Sequence, residues 1–145
     1  MRLFAAVTTF LLLFGCTGTT TIKGVPPPMD HPILGEWQFT PPQSNCNERY
    51  NFRPDGTRVY MSAEELGESA YEISPSPLQS GFYKIKDTVT KNNGKHDCAG
   101  GSTPTGDEVI LFIIFHPSKN QLIMCQEESL ENCFGPFTRL VESDS

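Results

Sequence analysis

Apolar and polar positions alternate along most of the chain after Pro32, in short runs broken by turn residues. Ile33, Gly35, Trp37 and Phe39 alternate with Leu34, Glu36, Gln38 and Thr40, and Pro41-Pro42 ends the run. That two-residue period is the mark of a half-buried β-strand. Tyr50 and Phe52 alternate with Arg49, Asn51 and Arg53. Pro54-Asp55-Gly56-Thr57 then makes a turn, with Pro presetting φ and Gly accepting φ > 0. Thr57 to Met61 returns, so residues 46–61 read as a hairpin. Tyr71 and Ile73 mark a fourth strand; Tyr83, Ile85 and Val89 mark a fifth, which runs towards a turn at Asn93-Gly94. The nearest approach to a helical period is Ser62 to Gly67, enough for about one turn.

Val109 to Phe115 (VILFIIF) is apolar on both faces. Seven residues rich in β-branched side chains favour a strand over a core helix. Such a strand needs cover on its outer face, from a loop, a neighbouring strand or a partner. Leu122 to Gln126 and Phe137 to Val141 complete a set of eight. The fold class expected is all-β, a small antiparallel eight-stranded up-and-down barrel, because closure leaves no unpaired edge. An open β-sandwich is the alternative.

The other end of the chain follows a different pattern. Arg2 precedes the apolar run Leu3 to Phe14, which stops at Gly15-Cys16. A charged start, a short apolar stretch and a small residue at the break form the layout of a secretory signal. The run is shorter than the roughly 20 residues a spanning helix needs. Leu13-Phe14-Gly15-Cys16 resembles a bacterial lipobox, with Phe14 an uncommon occupant of its slot. The resemblance implies cleavage before Cys16 and lipidation of that cysteine. Two or more acyl chains anchor a protein stably where one does not. Thr17 follows in place of the Asp that retains such lipoproteins in the inner membrane, so the resemblance implies the cell outer membrane, with the domain facing the periplasm or the cell surface. Residues 1–15 are then the signal peptide, 16–32 a lipidated Cys and Pro-rich tether free of core residues, and 33–145 the barrel domain. The three prolines Pro26 to Pro28 favour an extended spacer, and a loop packed on the domain is the alternative.

Gly35-Glu36-Trp37 on the first strand resembles the Gly-x-Trp signature of lipocalins. In that family an Arg late on the last strand packs across the Trp at the closed end of the barrel. Arg139 falls where that residue would lie, and a cation over an indole face is favourable by about 0.5–2 kcal/mol. The middle family motif is absent and the domain is shorter than usual, so the resemblance implies a trimmed, lipocalin-like barrel. Gly35, Trp37 and Arg139 are its structural residues.

Composition narrows the function. A net charge of −6 and a pI near 5.0 leave no basic face for nucleic acid. Four cysteines beyond Cys16 lie in a domain expected to be exported, so they are expected to pair. In an up-and-down order Cys46, Cys98, Cys125 and Cys133 all fall at the mouth. Strands one and eight are neighbours in a closed barrel, which brings Cys46 to Cys133 and leaves Cys98 to Cys125. The alternative, Cys125 with Cys133, closes a tight loop. His96-Asp97-Cys98 gathers three ligand types, but zinc sites use paired ligands at short spacing and none is present, so no metal or other cofactor is expected.

Catalytic motifs are missing as well. There is no Gly-x-Ser-x-Gly, His-Glu-x-x-His or phosphate loop. His31 lies in the tether and His116 at a strand end. Glu127, Glu128 and Glu131 read as a solvated loop. Two non-catalytic readings remain. One is a protein-interaction module of inhibitor, immunity or envelope-accessory type, presenting the mouth loops Pro41–Cys46, Asn92–Asp107 and Glu127–Phe134 to a protein partner. The other is a lipocalin-like carrier of a small apolar ligand. Ten phenylalanines and short strands suggest an interior filled by side chains, which favours the first.

Overall fold

The structure is a computed structural model that describes residue 18 and residues 20–141. The segment expected to be a signal peptide, the lipobox-like Leu13–Cys16 and Cys16 itself lie outside the described residues. Eight antiparallel strands form one closed up-and-down barrel, in sequence order. They are β1 (Gly35–Phe39), β2 (Glu48–Phe52), β3 (Thr57–Ser62), β4 (Glu65–Ile73), β5 (Tyr83–Asn92), β6 (Glu108–Phe115), β7 (Gln121–Cys125) and β8 (Cys133–Leu140). Closure runs through β1 and β8, with Trp37 opposite Arg139. No helix is present among the described residues.

The alternation sets which side chains fill the barrel. Trp37 and Phe39 of β1, Phe52 of β2, Tyr71 and Ile73 of β4, Ile85 of β5, Ile113 of β6, Leu122 of β7 and Phe137 of β8 are buried in one cluster. This cluster runs from the closed end, where the loops 53–56, 74–82 and 116–120 return the chain, up to Phe39 beside loop 40–47. Loops 40–47, 63–64, 93–107 and 126–132 gather at the opposite end, the mouth. The three loops expected there are at that end.

Arg139 lies with its guanidinium 4.2 Å from the Trp37 ring centroid. It also donates to the carbonyls of Leu34 and Pro32, both at 2.6 Å, and to that of Lys119. Trp37 Nε1–H donates to the Ile33 carbonyl at 2.8 Å, so the indole is held at both its face and its edge. Gly35 has φ near +109°, and a Cβ there would meet the Arg139 guanidinium at 3.0 Å. The glycine of Gly-x-Trp therefore serves both backbone and packing.

Ser62 to Gly67, the nearest approach to a helical period, forms no helical turn, in keeping with the all-β expectation. Ala63 and Glu64 make a two-residue turn, with Ala63 at φ 52°, and β4 starts at Glu65 opposite Ser62. The inward positions of early β4 are Glu65, Gly67 and Ser69, which are not apolar, so the strand's two-residue period is hidden from a hydropathy reading. The proline-rich segment is packed on the domain, as the alternative reading had it, and the expectation that it holds no buried residues is corrected. Val25 N–H donates to the Tyr71 carbonyl (2.9 Å), and Tyr71 N–H donates to the Gly56 carbonyl (2.8 Å). Gly24 lies directly against the Gly56 backbone, where no Cβ fits. Pro27 and His31 are buried. Residues 24–32 thus form a strap across the closed end, since an extended proline-rich segment suits a groove as well as it suits solvent.

The apolar β6 finds its outer cover partly in the chain itself. Its outward residues are Ile110, Phe112 and Ile114; Phe112 and Ile114 are half-buried, while Ile110 stays 43% exposed. Ser80, ahead of β5, donates to Glu128, after β7, at 2.6 Å, and so links the loops of the two strands that flank β6.

Candidate functional site

The mouth half of the interior is built differently from the closed half. Strands β2 to β5 turn Glu48, Tyr50, Arg58, Tyr60, Ser62, Glu65, Ser69 and Asp87 inward. Arg58 is the centre of this set. Its Nη2 donates to Asp87 Oδ2 at 2.5 Å and its Nε to Ser69 Oγ at 3.1 Å. Ser69 in turn donates to Asp87 Oδ1 at 2.6 Å, closing a three-residue ring of hydrogen bonds. The guanidinium lies 4.6 Å from the Tyr50 ring centroid and 4.8 Å from that of Tyr60. Burial is the largest influence and opposes its charge, but the Asp87 carboxylate, its hydrogen bond and the Tyr50 and Tyr60 hydroxyls together outweigh burial and hold the pKa above the ordinary value. The Tyr50 hydroxyl donates to Glu48 Oε2 at 2.8 Å, and burial pushes its pKa far above the usual tyrosine value.

Around this centre is an open cavity with two lobes. The apolar lobe, about 500 Å³, is lined by Phe52, Ile85, Leu111, Met124 and Phe134. The polar lobe, about 460 Å³, is lined by Glu48, Tyr60, Ser62, Glu65, Asp97 and Asp107. Tyr50, Arg58, Asp87 and Val109 form a wall common to both. The opening follows from strand lengths. β6 pairs with β7 only over Phe112–Phe115, so its first residues run past the end of β7 and leave a notch beside the apolar lobe. The expectation of an interior filled by side chains therefore holds for the closed half and fails at the mouth.

The rim is tied down by loop 93–107. Glu64 and Glu65 N–H both donate to the His96 carbonyl, at 3.1 and 3.0 Å. Cys98 N–H donates to Ser62 Oγ at 3.0 Å. Glu65 Oε1 accepts from Asn92 (2.7 Å) and from Thr103 N–H (2.5 Å). These bonds carry Cys98 across the β3–β4 turn to Cys46, and the disulfides are Cys46–Cys98 and Cys125–Cys133. Both expected pairs, Cys46 with Cys133 and Cys98 with Cys125, are thereby corrected. The strand-order argument placed each cysteine at the end of its strand. Loop 93–107 instead folds back over the mouth, and Cys125 and Cys133 face each other directly across the β7–β8 ladder.

No family model, curated protein or solved structure matches this chain. The site is therefore read from its own geometry. Among the described residues, no group of three or more His, Cys, Asp or Glu side chains is arranged to hold a metal ion. His96 serves through its carbonyl, and the Cys98 sulfur is in a disulfide. His116 pairs with Ser118 in the exposed β6–β7 turn. Glu127, Glu128 and Glu131 are exposed. Sequence reasoning missed Arg58 and Asp87. Their signal is parity: Arg58 shares the face of Tyr60, and Asp87 that of Ile85 and Val89. A charge on the apolar parity of a strand points into the barrel.

Proposed function

We propose that this chain is a lipid-anchored carrier barrel whose mouth cavity takes a small, largely apolar ligand. The observation that carries the reading is the apolar lobe of about 500 Å³. Its size lies in the range of small-molecule sites, and its lining combines aliphatic and aromatic walls with a few polar groups. The eight-stranded barrel adds a rigid frame, and the Arg58–Asp87–Ser69 ring holds in place the lining that the two lobes share. Cys16 supplies the membrane attachment, through the lipobox resemblance at Leu13–Cys16. Thr17 favours the outer membrane on the same resemblance.

The test is saturable uptake of an apolar fluorescent probe such as N-phenyl-1-naphthylamine. One site per chain is expected, and Leu111→Trp should abolish uptake while the circular dichroism spectrum stays unchanged. No uptake, or uptake indifferent to Leu111→Trp, overturns the carrier reading. Cys16→Ala should release the protein from the membrane or leave it unprocessed; firm membrane binding of that variant overturns the anchor.

A second reading, a protein-interaction module, has one observation in its favour. The mouth loops 40–47 and 93–107 are joined by Cys46–Cys98, and loop 126–132 is closed by Cys125–Cys133. Loops ordered in advance lose less entropy on binding a protein partner.

A further inference from the structure

Resting on the carrier reading, we infer that the ligand is a cationic amphiphile: an apolar tail with an ammonium-type head. The cavity supplies a place for each part. Phe52, Ile85, Leu111, Met124 and Phe134 wall the apolar lobe, and the polar lobe joins it along Tyr50, Arg58, Asp87 and Val109. A tail in the first lobe leaves its head in the second.

The charge of that second lobe decides the class of head. Among the described residues, Arg58 is the only cationic side chain lining either lobe. Its charge is matched at 2.5 Å by Asp87, which also accepts from Ser69, and the Tyr50 and Tyr60 rings lie over the guanidinium. It is thus a poor seat for an anionic head. Four further carboxylates line the polar lobe: Glu48, Glu65, Asp97 and Asp107. The ion pairs among the described residues include none of the four. Their contacts are neutral: Glu48 accepts from Tyr50 and Ser62, Glu65 from Asn92 and Thr103, and Asp97 from Ala99 and Gly101. A fifth lining carboxylate, Glu108, has a cationic partner, Lys86, at 3.8 Å. Low-dielectric walls on one side of such a lobe concentrate its negative field where a ligand head would sit. A carboxylate head meets uncompensated like charge there, an alcohol meets neither penalty nor gain, and an ammonium is attracted.

Calorimetric titration of decylammonium, decanol and decanoate tests this, using the chain from residue 16 with Cys16→Ala so that no lipid or detergent competes. Decylammonium is expected to bind at least tenfold more tightly than decanol, with decanoate weakest. The gap should narrow as salt is raised, because exposed charge is screened. Asp107→Asn, alone and combined with Glu48→Gln, should weaken decylammonium at least threefold and leave decanol unchanged. Equal affinity for decanol and decylammonium, or a preference for decanoate, overturns the cationic class and leaves the carrier reading standing. Binding by none of the three overturns both.

Discussion

Replacing Asp87 by Asn removes one charge from a pair that water scarcely reaches. The Arg58 and Asp87 side chains are 12% and 7% exposed and 2.5 Å apart. Removing one partner of a buried pair costs about 3–5 kcal/mol, because the remaining charge stays buried without compensation. The amide oxygen that Asp87→Asn introduces can still accept from Ser69, and the Tyr50 and Tyr60 rings still face the guanidinium, so the lower end of that range is expected. At this size 1 kcal/mol moves Tm by a few degrees, so Asp87→Asn should melt roughly 10 °C lower. The triple variant Arg58→Met, Asp87→Leu, Ser69→Ala removes both charges. It also spares fully buried Ser69 the loss of both its partners, which would otherwise cost about 1–3 kcal/mol. It should lie within about 1 kcal/mol of the parent or above it, since apolar replacement of a buried ion pair is often neutral or stabilising. Urea unfolding followed by the fluorescence of Trp37 measures both. A triple variant as unstable as Asp87→Asn would refute the reasoning, since the pair itself, rather than a stranded charge, would then sustain the barrel. An Asp87→Asn variant as stable as the parent would mean that Arg58 reaches water in solution.

Trp37→Ala should cost about 3–5 kcal/mol, because the indole is fully buried, bonded to Ile33 and covered by Arg139; an unchanged melting temperature would remove it from the core. Non-reducing peptide mapping should recover Cys46–Cys98 and Cys125–Cys133. Chain entropy assigns about 4 kcal/mol to the first, at a separation of 52, and about 2.5 kcal/mol to the second, at 8. Removing Cys46 and Cys98 together should therefore lower the urea midpoint more than removing Cys125 and Cys133, and the reverse order would count against the pairing. His31 should make stability fall on acidification. Burial holds its pKa below the ordinary 6.5, and Nδ1 accepts from Ile33 N–H, so Nε2 donates to the Ser74 carbonyl. The neutral ring fits the site and the charged ring does not, so its contribution is complete above about pH 6.5 and is lost as pH drops below that value. His31→Gln should flatten the urea midpoint between pH 7.5 and 5, and an unchanged slope would rule His31 out.

The barrel was legible where inward positions are apolar. Ile33, Trp37 and Phe39 announce β1, and Val109 to Phe115 announces β6, because these two segments carry hydrocarbon at every inward position. β4 was legible only at Tyr71 and Ile73, its closed-end residues, since its mouth-end inward positions are Glu65, Gly67 and Ser69. The placing of Trp37 and Arg139 on adjacent strands came from a motif resemblance and from no hydropathy period. The disulfides were beyond strand order. Cys98 reaches Cys46 by way of the His96 carbonyl and Ser62, contacts made by a loop whose path no periodicity encodes. The strap was hidden for a similar reason: Pro26 to Pro28 specify an extended backbone but not what it lies against.

The cavity was concealed by a count. Ten phenylalanines suggested a filled interior, yet Phe4, Phe10 and Phe14 fall in the N-terminal apolar run, ahead of the first strand and outside the described residues. Phe112 faces outward from β6, and Phe82 lies in the loop before β5. Phe39, Phe52, Phe115, Phe134 and Phe137 remain, and Phe115 and Phe134 are only partly buried against the core. The inward positions that these rings leave at the mouth hold Glu48, Arg58, Glu65 and Asp87. Charged side chains cannot interdigitate as hydrocarbon does; each needs a partner or water, and like carboxylates hold one another apart. An eight-stranded barrel is only just wide enough to be packed shut by its own side chains. Putting carboxylates on its inner face at one end therefore keeps that end open, and the charges that make the cavity also set its preference.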